Sequence, residues 1–195
     1  MSIQINGEGR DVQMNKKGTQ RIETERLILR RLTPDDAEAM FAGWCNDPEV
    51  SRFLTWPPHG NVEVTRSILN GWIEQYDDGA YFNWGIELKD SGRLVGNISV
   101  VKVREDIDSA DIGYCMSREF WGRGIMPEAL RAVMDYLFDE VGMNRVAASH
   151  DVNNPKSGRV MEKAGMKLEG TLRQAGWNMQ GVCDEVWHSM VKSER

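Results

Sequence analysis

Cysteine and histidine are scarce in this chain, three of each in 195 residues. Cys45, Cys115 and Cys183 are odd in number, far apart and without a Cys-x-x-Cys pair, which excludes a disulfide framework and reads as reduced thiols in a cytoplasmic protein. His59, His150 and His188 are scattered as well, so no metal-ligand spacing emerges. Long apolar runs are missing: none approaches the ~20 residues of a membrane span, and no signal peptide is recognised ahead of the body. An excess of positive charge is missing too. With 24 Lys and Arg against 30 Asp and Glu the net charge is -6, which argues against general binding of nucleic acid or anionic membranes. That balance leaves room for a local phosphate site built from backbone amides. Repeats, low-complexity tracts and internal linkers are absent.

What is present fits one α/β domain, since a chain of this length buries roughly 70% of its unfolded surface without a disulfide or metal staple. Residues 1–21 show neither helical nor strand periodicity and read as a flexible extension ahead of a domain over 22–195. Thr33 and Pro34 start a helix whose Ala37, Met40, Phe41 and Trp44 share a face, and Asp47 with Pro48 ends it. A second helix carries Leu69, Trp72, Ile73 and Tyr76 on one face. Segments 84–89 and 93–103 flank Asp90, Ser91 and Gly92, a hairpin signal. After a polar turn over 104–109, residues 110–116 alternate into another strand. A long helix follows, and Val146 to Ser149 then reads as a parallel partner reached by crossover.

The most informative stretch is 118–130, where Gly122 and Gly124 open directly into that long helix. Leu130, Val133, Met134, Leu137, Phe138 and Val141 recur at helical spacing, Pro127 suits the first turn and Gly142 supplies the stop. Glycines lacking Cβ let backbone N–H groups approach an anion, and the helix N-terminus adds unpaired amides with a partial positive charge. A tight turn packing a helix on a sheet is the plain alternative. No Lys-Ser or Lys-Thr pair completes a Walker pattern, and the third glycine of a dinucleotide fingerprint is missing. If the loop binds phosphate, a different phosphate-bearing ligand has to be considered.

Four segments together resemble the GNAT superfamily of acetyl-CoA dependent N-acetyltransferases, in particular the branch that acetylates N-terminal amines (alanine or serine) of ribosomal proteins. They are Thr24 to Leu32 with the following Thr33, Pro34, Asp35 and Asp36; Ala110 to Met116; Trp121 to Leu130; and Asn153 to Thr171. The resemblance implies a single GNAT-type domain with a central mixed twisted sheet of about six or seven strands flanked by about four helices. It implies acetyl-CoA as co-substrate, no metal, and a primary amine as acceptor, a ribosomal-protein N-terminus among the candidates. Family behaviour also raises a homodimer, which no sequence feature here demonstrates.

In that family, pantetheine runs like an extra strand in a wedge between two splayed strands, here 110–116 and 145–150. By resemblance, the amide near Met116 holds the pantetheine or thioester, Gly122, Arg123, Gly124 and Ile125 wrap the pyrophosphate, and Asn154 both caps the last helix and meets the coenzyme amides. A solvated surface role for Arg123 stays open. Many members carry a tyrosine seven positions after this asparagine to reprotonate the leaving thiolate. Met161 stands there and cannot, whereas Ser157 matches a serine used in the ribosomal-type branch. Asp111 aligns with the carboxylate common at the start of the central strand and is the expected base, with His150 the second choice.

The proton problem depends on the acceptor. An α-amine of pKa ~8 is about a tenth neutral at pH 7, whereas a lysine at ~10.4 is neutral in well under 0.1% of molecules. The segment 55–64, with Trp56, Pro57, Pro58 and His59, and the segment 177–186, with Trp187 just beyond it, resemble loops framing the acceptor mouth. Small-molecule amines (polyamine, amino acid or antibiotic) and a non-catalytic acyl-CoA-binding module are the competing readings. Met161 and the shortened Asp111 are what admit the latter. A phosphate-binding protein unrelated to coenzyme A would leave three of the four segments unexplained.

Overall fold

The structure, a computed structural model, describes residues 14–195. Alternating stretches become strands β1 (Ile22–Glu23), β2 (Leu27–Arg30), β3 (Asn83–Leu88), β4 (Leu94–Arg104), β5 (Ser109–Met116), β6 (Arg145–Asp151), β7 (Lys167–Asn178) and β8 (Gly181–Val191). They form one sheet in the order β1-β2-β3-β4-β5-β6-β8-β7. Every neighbouring pair is antiparallel except β5 and β6, which the crossover helix makes parallel. The count is eight where six or seven were expected. The two-residue β1 is too short to show alternation, yet it pairs with β2 from Ile22 opposite Leu29.

Helices α1 (Ala37–Met40), α2 (Pro48–Ser51) and α3 (Val62–Ile73) cover one face, and α4 (Ile125–Tyr136) and α5 (Pro155–Lys163) cover the other. Local chemistry sets their ends. Asp36 accepts from the Thr33 amide ahead of α1, Asp47 accepts from the Glu49 amide at the start of α2, and Asn61 does the same for Val64 at α3. Gly142 at φ 91 closes the wider turn that extends α4. The main core lies between the sheet and α4, where Leu130, Val133, Met134, Leu137 and Phe138 are fully buried against Trp84, Ile86 and Ile98. A smaller core joins Leu32, Met40, Trp44 and Leu69 on the opposite face.

Of the expected extension over 1–21, residues 1–13 lie outside the described residues, and residues within 14–21 bond to the body. Gly18 donates to the Gly79 carbonyl at 2.7 Å, Tyr136 donates to the Gly18 carbonyl at 2.8 Å, and Trp84 donates to the Gln20 carbonyl at 2.6 Å. Thr19 is buried and bridges Tyr81 and Asn83. Such anchoring uses single contacts rather than a repeating face, so it leaves no periodicity to read. Among the described residues no helix is long and apolar enough to cross a membrane.

Candidate active site

The glycine loop is shaped by left-handed backbone. Gly122 has φ 78 and Gly124 φ 76, and a Cβ on Gly122 would meet nothing, so its surroundings are open to a ligand. Gly124 is the N-cap of α4, and Pro127 has no N–H, which leaves the Ile125 and Met126 amides at the helix mouth. Arg123 is exposed beside the loop, its guanidinium 5.2 Å from the centre of the Phe120 ring.

A residue of the first matching segment, without a local signal of its own, holds this loop in place. Arg26, just before β2, donates to the Arg123 carbonyl at 3.0 Å and to Glu128 on α4 at 2.6 Å. Glu128 also accepts from the Thr24 hydroxyl at 2.6 Å. Burial works to raise the Glu128 pKa, but these hydrogen bonds outweigh it and lower it, keeping the carboxylate charged. The Thr24, Glu25, Arg26 signature is thus a strut between the sheet edge and the cradle.

Beside the loop the sheet comes apart. β5 and β6 pair only at Ser109 with Arg145, Ala110 with Val146 and Asp111 with Ala147, and then diverge. From Ile112 and Ala148 onward the two facing edges carry no ladder between them, a wedge into which an extended ligand can add its own hydrogen bonds. Met116, buried, ends β5 at the wide end, its carbonyl accepting from Trp121 at 2.8 Å.

Two sets of side chains flank this wedge, one on each face, because successive strand residues alternate. On the α5 face, the Tyr114 hydroxyl contacts the Ser157 hydroxyl at 2.9 Å and the Ser157 carbonyl at 3.0 Å. Desolvation pushes the Tyr114 phenol up, so it stays protonated. Asn154 sits at the helix start, but its side chain makes no capping bond; the turn is closed by its carbonyl, which accepts from Ser157 at 3.1 Å. The expected capping role is therefore absent and the carboxamide is left for another partner. Met161 is buried in the core.

On the opposite face a polar strip crosses the central strands. Cys115 donates to Asn97, Asn97 contacts Asn83 at 3.4 Å, and Ser149 donates to Glu185 of β8 at 3.3 Å. Trp187 also donates to Glu185, at 3.1 Å. The second expected mouth segment reaches the residue just ahead of the first, where the Met179 amide donates to the Leu54 carbonyl at 3.0 Å. A cleft of about 360 Å³ lined by Pro48, Arg52, Pro58 and Met179 opens there. His59 is buried under the first loop and bonded to Thr65 at 2.8 Å, a structural latch.

The acetyltransferase (GNAT) domain profile matches residues 26–167. The chain belongs to the GNAT acetyltransferase family. An uncharacterised N-acetyltransferase of Bacillus subtilis (strain 168) is 34% identical over 171 residues, 88% of this chain and 96% of its own. The ribosomal-protein-serine acetyltransferase of Escherichia coli (strain K12) is 27% identical over 154 residues, covering 78% and 85%. Among solved structures, a ribosomal L7/L12 α-N-protein acetyltransferase in complex with coenzyme A superposes with a TM-score of 0.79 at 22% identity, covering 90% of this chain and 100% of the other. This GNAT enzyme is an N-acetyltransferase, and acetyl-CoA is its co-substrate. The open glycine loop, the unpaired strand edges and the free Asn154 carboxamide fit that molecule.

Within the GNAT frame the expected residues are only partly brought together. Gly122, Arg123, Gly124, Ile125, Met116, Asn154 and Ser157 all border the wedge or its loop. Asp111 sits in the last β5–β6 pair, at the closed apex, 8% exposed and 3.1 Å from the Arg104 guanidinium. His150 lies on the α5 face, Nδ1 within 2.8 Å of the Asp151 carbonyl and Nε2 so close to Gly158 that a Cβ there would be 2.5 Å away. That packing keeps it from the opposite face. Tyr114 and Glu185 were missed: the first reads as one apolar position of an alternating strand, and the second meets the wedge only through cross-strand pairing. All three cysteines are free, and burial raises each thiol pKa, Cys45 to about 12.

Proposed function

We propose that this GNAT enzyme transfers acetyl directly from acetyl-CoA to a protein N-terminal α-amine in the cytoplasm. The observation that carries the reading is the two-sided wedge. The coenzyme enters from the α5 face, where Gly122, Arg123, Gly124 and Ile125 hold pyrophosphate, the strand edge near Met116 and the Asn154 carboxamide hold pantetheine, and Ser157 faces the sulfur. The amine enters from the polar face between the 55–64 and 177–186 loops. Direct attack suits the raised thiol pKa values, since an acyl-cysteine intermediate needs a thiolate. Ser157 gives a proton to the departing thiolate and recovers one through Tyr114.

An α-amine fits because a site with neutral hydrogen-bond donors and one or two carboxylates supplies only a modest base, and a group of pKa ~8 needs no more. The Escherichia coli relative, a ribosomal-protein-serine acetyltransferase, supports the same acceptor class. The test is a panel of acceptors followed by free-thiol release: peptides beginning with Ala or Ser, the same peptides with blocked α-amines and a free lysine, spermidine, and free amino acids. Turnover of the unblocked peptides with the highest kcat/KM is the expected result. A preference for spermidine or free amino acids would replace the peptide acceptor with a small molecule.

A further inference from the structure

We infer that Glu185 is the base that takes the proton from the attacking amine. The inference rests on the acetyl-transfer reading above and assigns a residue within the same site. Three observations carry it. First, Glu185 lies on the acceptor face. Ser149 of β6 sits two residues beyond the last β5–β6 pair, and its hydroxyl bonds Glu185 at 3.3 Å, which places the carboxylate beside the open part of the wedge on the side away from Ser157 and Tyr114.

Second, its partners are neutral. Ser149 and Trp187 each donate one hydrogen bond, and neither neutralises the charge, so the carboxylate keeps unshared lone pairs for an ammonium proton. Asp111, by contrast, is at the closed apex and paired with Arg104 at 3.1 Å.

Third, space around Glu185 is provided by a glycine. A Cβ on Gly176 of β7 would lie 2.6 Å from the Glu185 Cγ and 2.7 Å from its Oε1, so any larger residue there would displace the side chain. The bulge between Leu172 and Gly176 brings β7 into this register. The other ionisable groups on this face are committed. Asp151, opposite Glu185 in the β6–β8 ladder, accepts from the Asn153 amide at 2.8 Å and from Asn178 at 2.7 Å, and Cys183 is a protonated thiol beside it.

The step balances as follows. Glu185 takes one proton from the ammonium, and the freed nitrogen lone pair forms the N–C bond to the thioester carbonyl carbon. The C–S bond breaks with its electron pair on sulfur, and that thiolate takes a proton from Ser157, which is resupplied through Tyr114 from water. The amide nitrogen's remaining excess proton leaves to solvent, and Glu185 returns its own to water, giving amide and free CoA thiol.

The test compares Glu185→Gln, Glu185→Asp and Asp111→Asn in the full-length protein, using whichever amine of the acceptor panel the unaltered enzyme turns over. Acetyl-CoA affinity is measured alongside by titration calorimetry and reports folding of the coenzyme site. The expected result is a fall in kcat/KM for the amine of about 10²-fold in Glu185→Gln, within the usual range for a lost general base. Acetyl-CoA affinity should stay within about twofold, and the deficit should shrink as pH rises and the amine deprotonates unaided. Glu185→Asp should recover part of the rate. A Glu185→Gln rate within twofold of the unaltered enzyme at every pH, with Asp111→Asn impaired, would overturn the assignment in favour of Asp111. No turnover of any amine by the unaltered enzyme would instead overturn the acceptor reading, and the Glu185 role with it.

Discussion

Ser157 and Tyr114 share a hydrogen bond, so their substitutions should not add. If the serine hydroxyl stabilises a developing thiolate, the hydrogen bond is of the charged class, ~1.5–3 kcal/mol, or about 10- to 150-fold in rate. Ser157→Ala and Tyr114→Phe should each lower kcat within that range, with the double variant little worse than Ser157→Ala alone. Full activity in Ser157→Ala would remove it from the mechanism. His188 offers a separate test, on stability. Its ring is buried, both nitrogens lack a hydrogen-bond partner, and burial lowers its pKa, with His150 adding to the effect and Glu162 and Glu169 opposing it. Above the unfolded value of ~6.5 both states hold the ring neutral; below it the unfolded chain binds the proton more readily, so stability falls with pH. His188→Phe should therefore lose less Tm than the unaltered protein on going from about pH 7.5 to about pH 5. Equal losses would show that another group sets the acid limb.

At the scale of elements, the cradle depends on a strut from outside it. Arg26 and Glu128 are joined by a half-exposed ion pair, worth no more than ~1 kcal/mol in stability, so its loss should barely move Tm. Its effect belongs to binding. Arg26→Ala frees the Arg123 carbonyl and the loop, and acetyl-CoA affinity should drop about tenfold, which is ~1.4 kcal/mol of lost preorganisation. Calorimetry checks this directly. Gly124→Ala should act in the same direction, because an L-residue at φ 76 costs roughly 1–2 kcal/mol. The glycines were legible in the sequence, since a pair opening into a periodic helix has few explanations. The strut was not, because Arg26 and Glu128 are separated by a hundred residues and nothing in either neighbourhood names the other.

For the molecule as a whole, a net charge of -6 is compatible with a polyanionic co-substrate under the proposed site, because a cradle of backbone amides and a helix terminus does not register in composition. The same scale explains the N-terminal segment. Gly18, Thr19 and Gln20 bond to residues on the hairpin and on α4, so starting the chain at residue 22 would leave the Trp84 indole and the Asn83 amide without partners. With each of about four hydrogen bonds contributing ~1 kcal/mol, Tm should fall by roughly 10 °C, as followed by thermal melting. An unchanged Tm would mean that these contacts are replaced by water at no cost.

The sequence by itself determined the elements whose signals are local: the amphipathic α4 with its Gly142 stop, the hairpin around Gly92, the alternating β5, the glycine loop, and through four matching segments the family. Those signals survive because period, cap and turn chemistry act within a few residues. What only the tertiary structure decided is which side chains face the wedge. Asp111 and Glu185 are equally plain carboxylates in the sequence, yet pairing puts one at the apex beside Arg104 and the other at the open side beside Ser149. The β6–β8 register, which joins segments dozens of residues apart, and the bulge where β7 pairs with β8 set that difference.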